Sequence, residues 1–356
     1  MTLCGNRTHG KAFIFLPGAR LGPLTRLYEP FVIFLVEWLQ RSGVKYDIID
    51  RARRQHYARF CSNDVALLIG PDTYAPAHDR YPLARLKANR TSLVVYNTEP
   101  LARQACTSAP WHFLRKAASA ARNRLEIWDY SNANLHALRT NATRCIKHYG
   151  HEQLAAQLVE GLVPLRFVPP GWSRVLQYRV RRRQNSVAAS KDTRLFFLGQ
   201  MHYRSRRCWA VLNQSKWLSE AFVSSGHTWG AIAYREMFER YAVFANLHRS
   251  CGNPHSPLET FRLSLLLSNG ATVLSELSDL DDMEAYRGVV RFCDYAILPR
   301  CHAQLQAAVP PWEEVLMRFA ENFSAISVFA RAGVAAGVFA PLLAGGVESV
   351  NATLSV

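Results

Sequence analysis

Short apolar runs alternate with longer stretches of helical spacing along the first half of the chain. Apolar residues recur at helical spacing over 24–41, and two further helices are predicted around 111–121 and 132–138. Buried strands are predicted from the apolar runs at 12–16, 46–49, 65–69, 92–96 and 125–128. Because parallel strands need crossover connections, this alternation of strands and helices predicts a parallel sheet.

The pattern breaks after Val168 and then resumes. The Pro169-Pro170-Gly171 sequence and the basic, aperiodic stretch 179–190 predict a linker. Beyond it, strands are predicted at 194–198, 242–247, 271–275 and 289–292, and helices at 257–268 and 312–322. We therefore expect an α/β chain with two doubly wound, Rossmann-like parallel-sheet domains facing a cleft. The expected segments are an N-terminal domain 1–168, a linker 169–192, a C-terminal domain 193–310, and a helix with a loosely packed apolar tail, 311–356.

Composition then adds expectations about partners. The 356 residues are 49% hydrophobic and 20% charged, which is typical of globular domains rather than of disordered chains. A net charge of +16 favours anionic partners: phosphate-bearing small molecules, nucleic acid or an anionic membrane surface. No apolar stretch has the length of a membrane span.

Cysteines and asparagines bear on the cellular compartment. None of the eight cysteines forms a C-x-x-C pair, and we interpret them as buried free thiols rather than a disulfide framework. Chance would give roughly two N-x-S/T sequons, but six occur. Their asparagines are Asn6, Asn89, Asn141, Asn213, Asn322 and Asn351. The start of the chain lacks a signal-peptide h-region, so the expected compartment is cytoplasmic by default, and the secretory pathway is the alternative.

Three candidate clusters follow predicted strands of the second half, and the first is 199–207. Gly199 permits close approach of a ligand to the backbone, and the N-terminus of a following helix attracts phosphate. Arg204, Arg206 and Arg207 add three positive charges there. The cluster is therefore either a diphosphate clamp or an exposed basic helix face.

The second cluster, 246–262, contains His248 in a loop and Glu259 at the start of a predicted helix. Glu259 either completes a capping box with Ser256 or presents its carboxylate to the two hydroxyls of a ribose.

The third cluster, 275–284, places Glu276 at a strand end, where we expect it to contact a ligand. Asp279-Leu280-Asp281 matches the short D-x-D pattern of diphosphate-bound cations, but Asp281-Asp282 is better explained as a helix cap, so no metal is expected. Glu99 follows the strand 92–96 and is either a base, an acceptor-binding group or an exposed turn carboxylate. The sequence contains none of the motifs of P-loop NTPases, α/β-hydrolases or zincins.

The order of these motifs resembles the GT-B glycosyltransferases, in particular a GT-4-like group with a group 1 type C-terminal domain. The resemblance covers roughly residues 12–305 and is most specific over 257–276, PLETFRLSLLLSNGATVLSE. It also rests on segments at 96–101, 128–135, 168–172, 195–207, 242–248 and 289–295.

The resemblance implies a UDP- or GDP-linked sugar donor and a hydroxyl acceptor on a glycan, lipid or protein. It implies a retaining reaction that uses neither a metal nor a separate cofactor. Donor binding then involves Gly199, Arg204, Arg206, Arg207, Glu259 and Glu276, and the catalytic candidates are Glu99 and His248. Glu259 matches the second glutamate of the group's E-x7-E pattern, which contacts the ribose, whereas Cys251 replaces the first.

Two alternatives from other classes stay open. Because Cys251 replaces an acidic residue, the chain is alternatively a GT-B-fold protein that binds a nucleotide without turnover. Basic runs at 51–54 and 179–183 raise nucleic-acid binding as a third hypothesis. Aromatic residues are not interleaved with these runs as stacking platforms, so we do not expect a nucleic-acid partner.

Overall fold

Two separate parallel sheets organise the chain in the computed structural model. The structure describes residues 10–16, 28–49, 60–70, 83–101, 105–121, 124–178, 191–199, 220–224, 230–248 and 251–344. The chain divides into one unit of residues 1–169 and 325–356 and another of residues 170–324.

The first unit contains a six-stranded, fully parallel sheet in the order β2-β1-β3-β4-β5-β6. Its strands are β1 Ala12–Phe15, β2 Tyr46–Ile49, β3 Val65–Ile69, β4 Ser92–Asn97, β5 Leu125–Asp129 and β6 Leu165–Phe167. The helices that connect them are α1 Glu29–Arg41, α2 Leu83–Ala88, α3 Ala109–Ala120, α4 Asn132–Thr140, α5 Ala142–Cys145 and α6 Glu152–Val159. The five strands predicted in this half are confirmed, and β6 was not predicted.

The second unit contains a five-stranded, fully parallel sheet in the order β11-β10-β9-β7-β8. Its strands are β7 Asp192–Phe197, β8 Phe222–Ser224, β9 Tyr241–Asn246, β10 Thr272–Glu276 and β11 Arg291–Cys293. Its described helices are α7 Ala231–Arg240, α8 Thr260–Leu267, α9 Leu280–Ala285, α10 Leu298–Gln306 and α11 Trp312–Phe323. The two parallel sheets confirm the predicted α/β class.

The first residues of the expected linker are packed within the second unit. The Ser264 hydroxyl of α8 donates to the Gly171 carbonyl at 2.6 Å. Asn269 donates to the Leu176 carbonyl at 2.8 Å and accepts from the Tyr178 N–H at 2.6 Å. The basic stretch 179–190 lies outside the described residues.

The chain returns to the first unit after α11. Two short helices, α12 Ala325–Arg331 and α13 Ala340–Ala344, belong to that unit. Phe329 and Phe339 are fully buried, and their rings lie 4.4 Å from Trp38 and 5.6 Å from Trp128 respectively, centroid to centroid. The expectation of a loosely packed tail is therefore wrong for residues 325–344.

All six described cysteines are disulfide-bonded. Cys106 pairs with Cys145, and Cys293 pairs with Cys301, at Cα–Cα distances of 4.6 and 6.4 Å. Cys61 and Cys251 are also in disulfides. The expectation of free thiols is therefore wrong for these residues. None of the described helices has the length and apolarity to cross a membrane.

Candidate functional site

The carboxyl ends of β9 and β10 bring the second and third clusters together in the second unit. Parallel strands end at one edge of their sheet, where α/β folds bind ligands. His248 follows β9, and Glu276 is the last residue of β10. The Nδ1 atom of His248 lies 3.5 Å from Oε1 of Glu276.

The Glu276 carboxylate is fully buried and holds the loop that follows β9. One oxygen accepts a hydrogen bond from the His248 backbone N–H, and the other accepts from the Gly252 N–H at 2.5 Å. Gly252 has a φ of +72°, a left-handed conformation that favours glycine. A carboxylate that accepts from two backbone donors is well suited to fix a loop. Glu276 thus positions the residues that follow β9.

The His248 ring is buried at 3% exposure and is oriented from two sides. Its Nε2 atom lies 3.0 Å from the Ser278 hydroxyl, and its Nδ1 atom faces Glu276. Nδ1 is buried without a hydrogen-bond partner at normal distance. The geometry therefore holds the ring between Ser278 and Glu276 and buries its Nδ1 atom.

Arg262 on α8 ties together the ends of two strands. Its Nε donates to the Leu198 carbonyl at 3.0 Å, and its Nη1 donates to Oδ1 of Asn246 at 2.8 Å and to the Leu247 carbonyl at 3.2 Å. Burial lowers the pKa of Arg262 from its usual value, and the neighbouring carboxylates of Glu259 and Glu276 oppose that shift. Arginine nevertheless stays charged at neutral pH. A fixed positive charge therefore lies at the carboxyl ends of β7 and β9.

Glu259 lies next to this charge and is accessible. Its side chain is 41% exposed, and its Oε2 atom is 4.0 Å from Nη2 of Arg262. The capping box with Ser256 is wrong, because α8 begins at Thr260 and Glu259 itself occupies the N-cap without a side-chain hydrogen bond. The Ser256 hydroxyl instead accepts from the Asn253 amide at 2.6 Å. The Glu259 carboxylate is thus not used in capping.

Gly199 follows β7 and packs closely against an aromatic ring. A Cβ atom at this position would lie 2.8 Å from the ring of Phe197, which also lies 5.0 Å from the guanidinium of Arg262. A larger residue would therefore displace a ring that supports Arg262. Arg204, Arg206 and Arg207 lie outside the described residues, so the diphosphate clamp stays a prediction.

The D-x-D sequence serves local structure in the second unit. Asp279 is the N-cap of α9 and accepts from the Asp281 N–H at 3.1 Å, so the cap is Asp279 rather than the predicted Asp281-Asp282. Asp282 is buried and accepts from the Leu258 N–H at 3.2 Å. Among the described residues, no group of three or more His, Cys, Asp or Glu side chains is arranged to hold a metal ion.

In the first unit, Glu99 lies on a loop held by buried polar side chains. The Asn97 amide donates to Asp129 at 2.7 Å and to the Glu99 carbonyl at 2.7 Å. The Asn134 amide donates to the same carbonyl at 3.1 Å and to Asp129 at 3.0 Å. The Tyr28 hydroxyl lies 3.2 Å from the Glu99 carboxylate. This network fixes the Glu99 backbone at the carboxyl end of β4.

A cavity of about 770 Å³ lies elsewhere in the second unit, lined by parts of α9, β11 and α11. Leu280, Arg287, Arg291 and Arg318 are among its lining residues. None of the predicted site residues that the structure describes lines it, so we do not include it in the candidate site.

Several solved structures are similar in fold over more than nine tenths of the chain. AviGT4, a glycosyltransferase involved in avilamycin A biosynthesis, superimposes with a TM-score of 0.53 at 12% identity, over 95% of this chain and 98% of its own. An alpha-glucosyltransferase in complex with UDP and a 13-mer DNA gives 0.56 at 9% identity, over 91% and 98%. The alpha,alpha-trehalose-phosphate synthase (UDP-forming) from Burkholderia vietnamiensis gives 0.51 at 11% identity, over 96% and 100%.

The chain has a GT-B fold. By sequence it matches no family model and no curated protein. The expected GT-B architecture is therefore confirmed, while the GT-4-like grouping stays a prediction.

Sequence reasoning missed three residues of this candidate site: Asn246, Arg262 and Ser278. Each touches a predicted site residue or fixes the strand end from which one projects. An asparagine at the end of a predicted strand, followed by an arginine in the next helix, is the signal that could have identified Asn246 and Arg262. Ser278 carried no signal of its own, because its contact with His248 joins two separate loops.

Proposed function

We propose that the chain transfers a sugar from a nucleotide-sugar donor to a hydroxyl acceptor. The observation that carries this proposal is the accessible Glu259 carboxylate, which lies beside the half-buried Arg262 charge at the strand ends of the second unit. The GT-B fold supports it, since two of the three similar structures are named as a glycosyltransferase and a glucosyltransferase, and the third as a UDP-forming synthase of a sugar phosphate. Two of those names include UDP, which favours UDP over GDP as the donor nucleotide.

In this proposal, Glu259 accepts hydrogen bonds from the ribose hydroxyls, as its exposed carboxylate allows. Arg204, Arg206 and Arg207 hold the diphosphate. As the sugar leaves, negative charge grows on the diphosphate, and guanidinium groups placed in advance stabilise that charge. The proposed reaction proceeds with retention and draws on no metal ion.

Glu99 and His248 stay the two catalytic candidates. Glu99 is the candidate group on the acceptor side, and its backbone is fixed by Asn97 and Asn134. His248 is the candidate for contact with the donor sugar, and Ser278 and Glu276 orient its ring. Glu276 acts indirectly, by holding the loop that carries His248.

A second candidate function is nucleotide binding without turnover, and Cys251 favours it. Cys251 is 3% exposed and disulfide-bonded, so it offers no carboxylate at the position of the missing glutamate. A chain that kept Glu259 and lost this acidic contact would bind the nucleotide and leave the sugar in place.

Turnover assays separate the two candidates. The full chain is incubated with UDP- and GDP-sugars in EDTA, and released nucleoside diphosphate is measured with glycan, lipid, protein and DNA acceptors. DNA is included because the chain carries +16 and the similar alpha-glucosyltransferase was solved with DNA. The thermal midpoint is followed in parallel, since a ligand at 100 times its dissociation constant stabilises by about 2.7 kcal/mol.

If the chain transfers sugar, the rate of diphosphate release should fall at least about tenfold in Glu259→Gln and stay unchanged in Glu313→Gln. Glu313 is an exposed carboxylate of the same unit and serves as the matched control. A midpoint shift with no release on any acceptor would establish the binding protein instead. No shift with any nucleotide would overturn both candidates.

A further inference from the structure

We propose that Asn89 and Asn322 carry N-linked oligosaccharides and that the chain matures in an oxidising, secretory compartment. Two independent features of the described residues carry this inference. Both asparagines lie in sequons and are exposed at the surface. Every described cysteine is disulfide-bonded.

Asn89 lies in the turn that follows α2, and its side chain is exposed. The next residue, Arg90, has a φ of +51°, so the chain changes direction sharply at the sequon. Thr91 supplies the sequon hydroxyl, and in the folded protein this hydroxyl donates to the Cys61 carbonyl at 3.3 Å. An exposed turn is the surface setting that N-glycans require.

Asn322 lies in the last turn of α11, and its side chain is exposed. Its amide nitrogen donates to the Arg318 carbonyl at 3.0 Å. A glycosylated amide keeps one N–H, so this hydrogen bond is compatible with the modification. Asn141, in a third described sequon, is half-buried at the junction of α4 and α5, and we do not include it.

The cysteines support the same compartment by separate chemistry. Cytosolic thiols are kept reduced, whereas disulfides form and persist in secreted and lumenal proteins. Paired cysteines occur in both units, with Cys106–Cys145 in the first and Cys293–Cys301 in the second. Oxidative maturation therefore involves the whole chain rather than one exposed pair.

Both modifications need a co-reactant. In glycosylation, the asparagine Nδ2 displaces the diphosphate of a lipid-linked oligosaccharide: an N–C bond forms, a C–O bond breaks, and the amide loses one proton. In each disulfide, two thiols lose two protons and two electrons to a disulfide-bearing oxidant, which is reduced to its dithiol. Both kinds of co-reactant are supplied in the lumen of the secretory pathway.

The test uses the full chain isolated from cells that make it naturally. The protein is treated with peptide N-glycosidase F in heavy-oxygen water, which converts each glycosylated asparagine to aspartate with one heavy oxygen. Trypsin releases Asn322 in the peptide 319–331, and chymotrypsin releases Asn89, because trypsin would cut next to it at Arg90. Alkylation before reduction labels any free thiol.

The proposal predicts heavy-oxygen label at both asparagines and no alkylation of the six described cysteines. When expressed in the same cells, Asn89→Gln and Asn322→Gln should each lower the apparent mass on a gel by one glycan. Asn63→Gln should leave the apparent mass unchanged, because Asn63 is outside any sequon. Unlabelled asparagine at both positions would overturn the proposal, and so would alkylation of these cysteines in the untreated protein. Either failure leaves sugar-nucleotide binding untouched, so it is distinguishable from failure of the proposed function.

Discussion

Arg262 is a half-buried cation, and its hydrogen bonds go to the ends of strands. Its three acceptors are the Leu198 and Leu247 carbonyls and the Asn246 side chain. A buried charge without partners is costly, and its removal leaves these acceptors unpaired. Arg262 therefore stabilises the edge of the sheet at which Glu259 lies.

Replacement of Arg262 by Met should lower the free energy of unfolding by about 3 kcal/mol, because three buried acceptors lose their donor. Urea unfolding of the second unit measures this change. Arg235→Met is the control: Arg235 is 54% exposed and pairs with Glu239 four residues away. Such surface pairs contribute about 0.3–0.5 kcal/mol. Equal losses in the two variants would contradict the role assigned to Arg262.

His302 gives the second unit a dependence on pH. Its ring is buried, its Nε2 atom lies 2.8 Å from the Thr193 carbonyl, and burial lowers its pKa below the ordinary 6.5. Above pH 6.5 the ring is neutral in the folded and unfolded chains alike. As the pH falls below 6.5, the His302 ring binds a proton in the unfolded chain before it does so in the folded chain. The free energy of unfolding therefore falls.

The urea midpoint should therefore fall between about pH 7.5 and about pH 5, and less so in His302→Gln. The glutamine amide can still donate to Thr193, so the variant removes the titrating group and keeps the hydrogen bond. His136→Gln, at an exposed histidine, should behave as the wild type does. A pH dependence identical in wild type and His302→Gln would refute this assignment.

At the scale of elements, α12 completes the core of the first unit. The Phe329 ring lies 4.4 Å from Trp38 and 5.3 Å from Phe34, both on α1. Glu126 on β5 accepts from the Val338 N–H at 2.9 Å, so the segment that follows α12 is also tied to the sheet.

Phe329→Ala should destabilise the first unit by about 3–5 kcal/mol, because it removes a buried ring and leaves a cavity among aromatic neighbours. Ile326→Ala on the same helix is the control, since Ile326 is 56% exposed and should cost less than about 0.5 kcal/mol. Tryptophan fluorescence during urea unfolding reports the change, as Trp38 contacts Phe329. If Phe329→Ala lowered the free energy of unfolding by less than about 1 kcal/mol, the tight packing of α12 would be contradicted and the expectation of a loosely packed tail favoured.

Local apolar runs predicted the first five strands, both the fully buried β3 and the partly buried β2. β3 was predicted with its observed bounds because all five of its residues are apolar and buried. β6 was not predicted, because its three residues are half-buried and include Arg166. The packing of α12 and α13 was missed because their partners, Trp38 and Trp128, lie far away along the chain.

The same reasoning explains what could be predicted of the site. The hydrophobic pattern located the ends of β9 and β10 to within one residue. Glu276 was therefore placed correctly at the end of its strand. Its hydrogen bonds to the loop after β9 depend on how the sheet is assembled. Cysteine pairing likewise depends on the folded chain, because spacing alone does not give connectivity.

At the scale of the whole molecule, both units are parallel sheets, and the polar residues singled out in each follow strand ends. The first unit is built from residues at both ends of the chain, so its stability depends on residues 325–344. The similarity in fold to AviGT4 extends over 95% of the chain. The proposed chemistry is concentrated in the second unit, where Glu259 and Arg262 lie 4.0 Å apart.

The central claim is that the second unit binds a nucleoside diphosphate through Glu259, and calorimetric titration with UDP tests it most directly. Wild type, Glu259→Gln and Glu313→Gln are titrated in EDTA. We predict that UDP binds the wild type and Glu313→Gln equally. In Glu259→Gln, loss of a charged acceptor should raise the Kd at least about tenfold, which is 1.4 kcal/mol. Equal UDP affinity in all three proteins, or no binding of UDP or GDP to the wild type, would contradict the account.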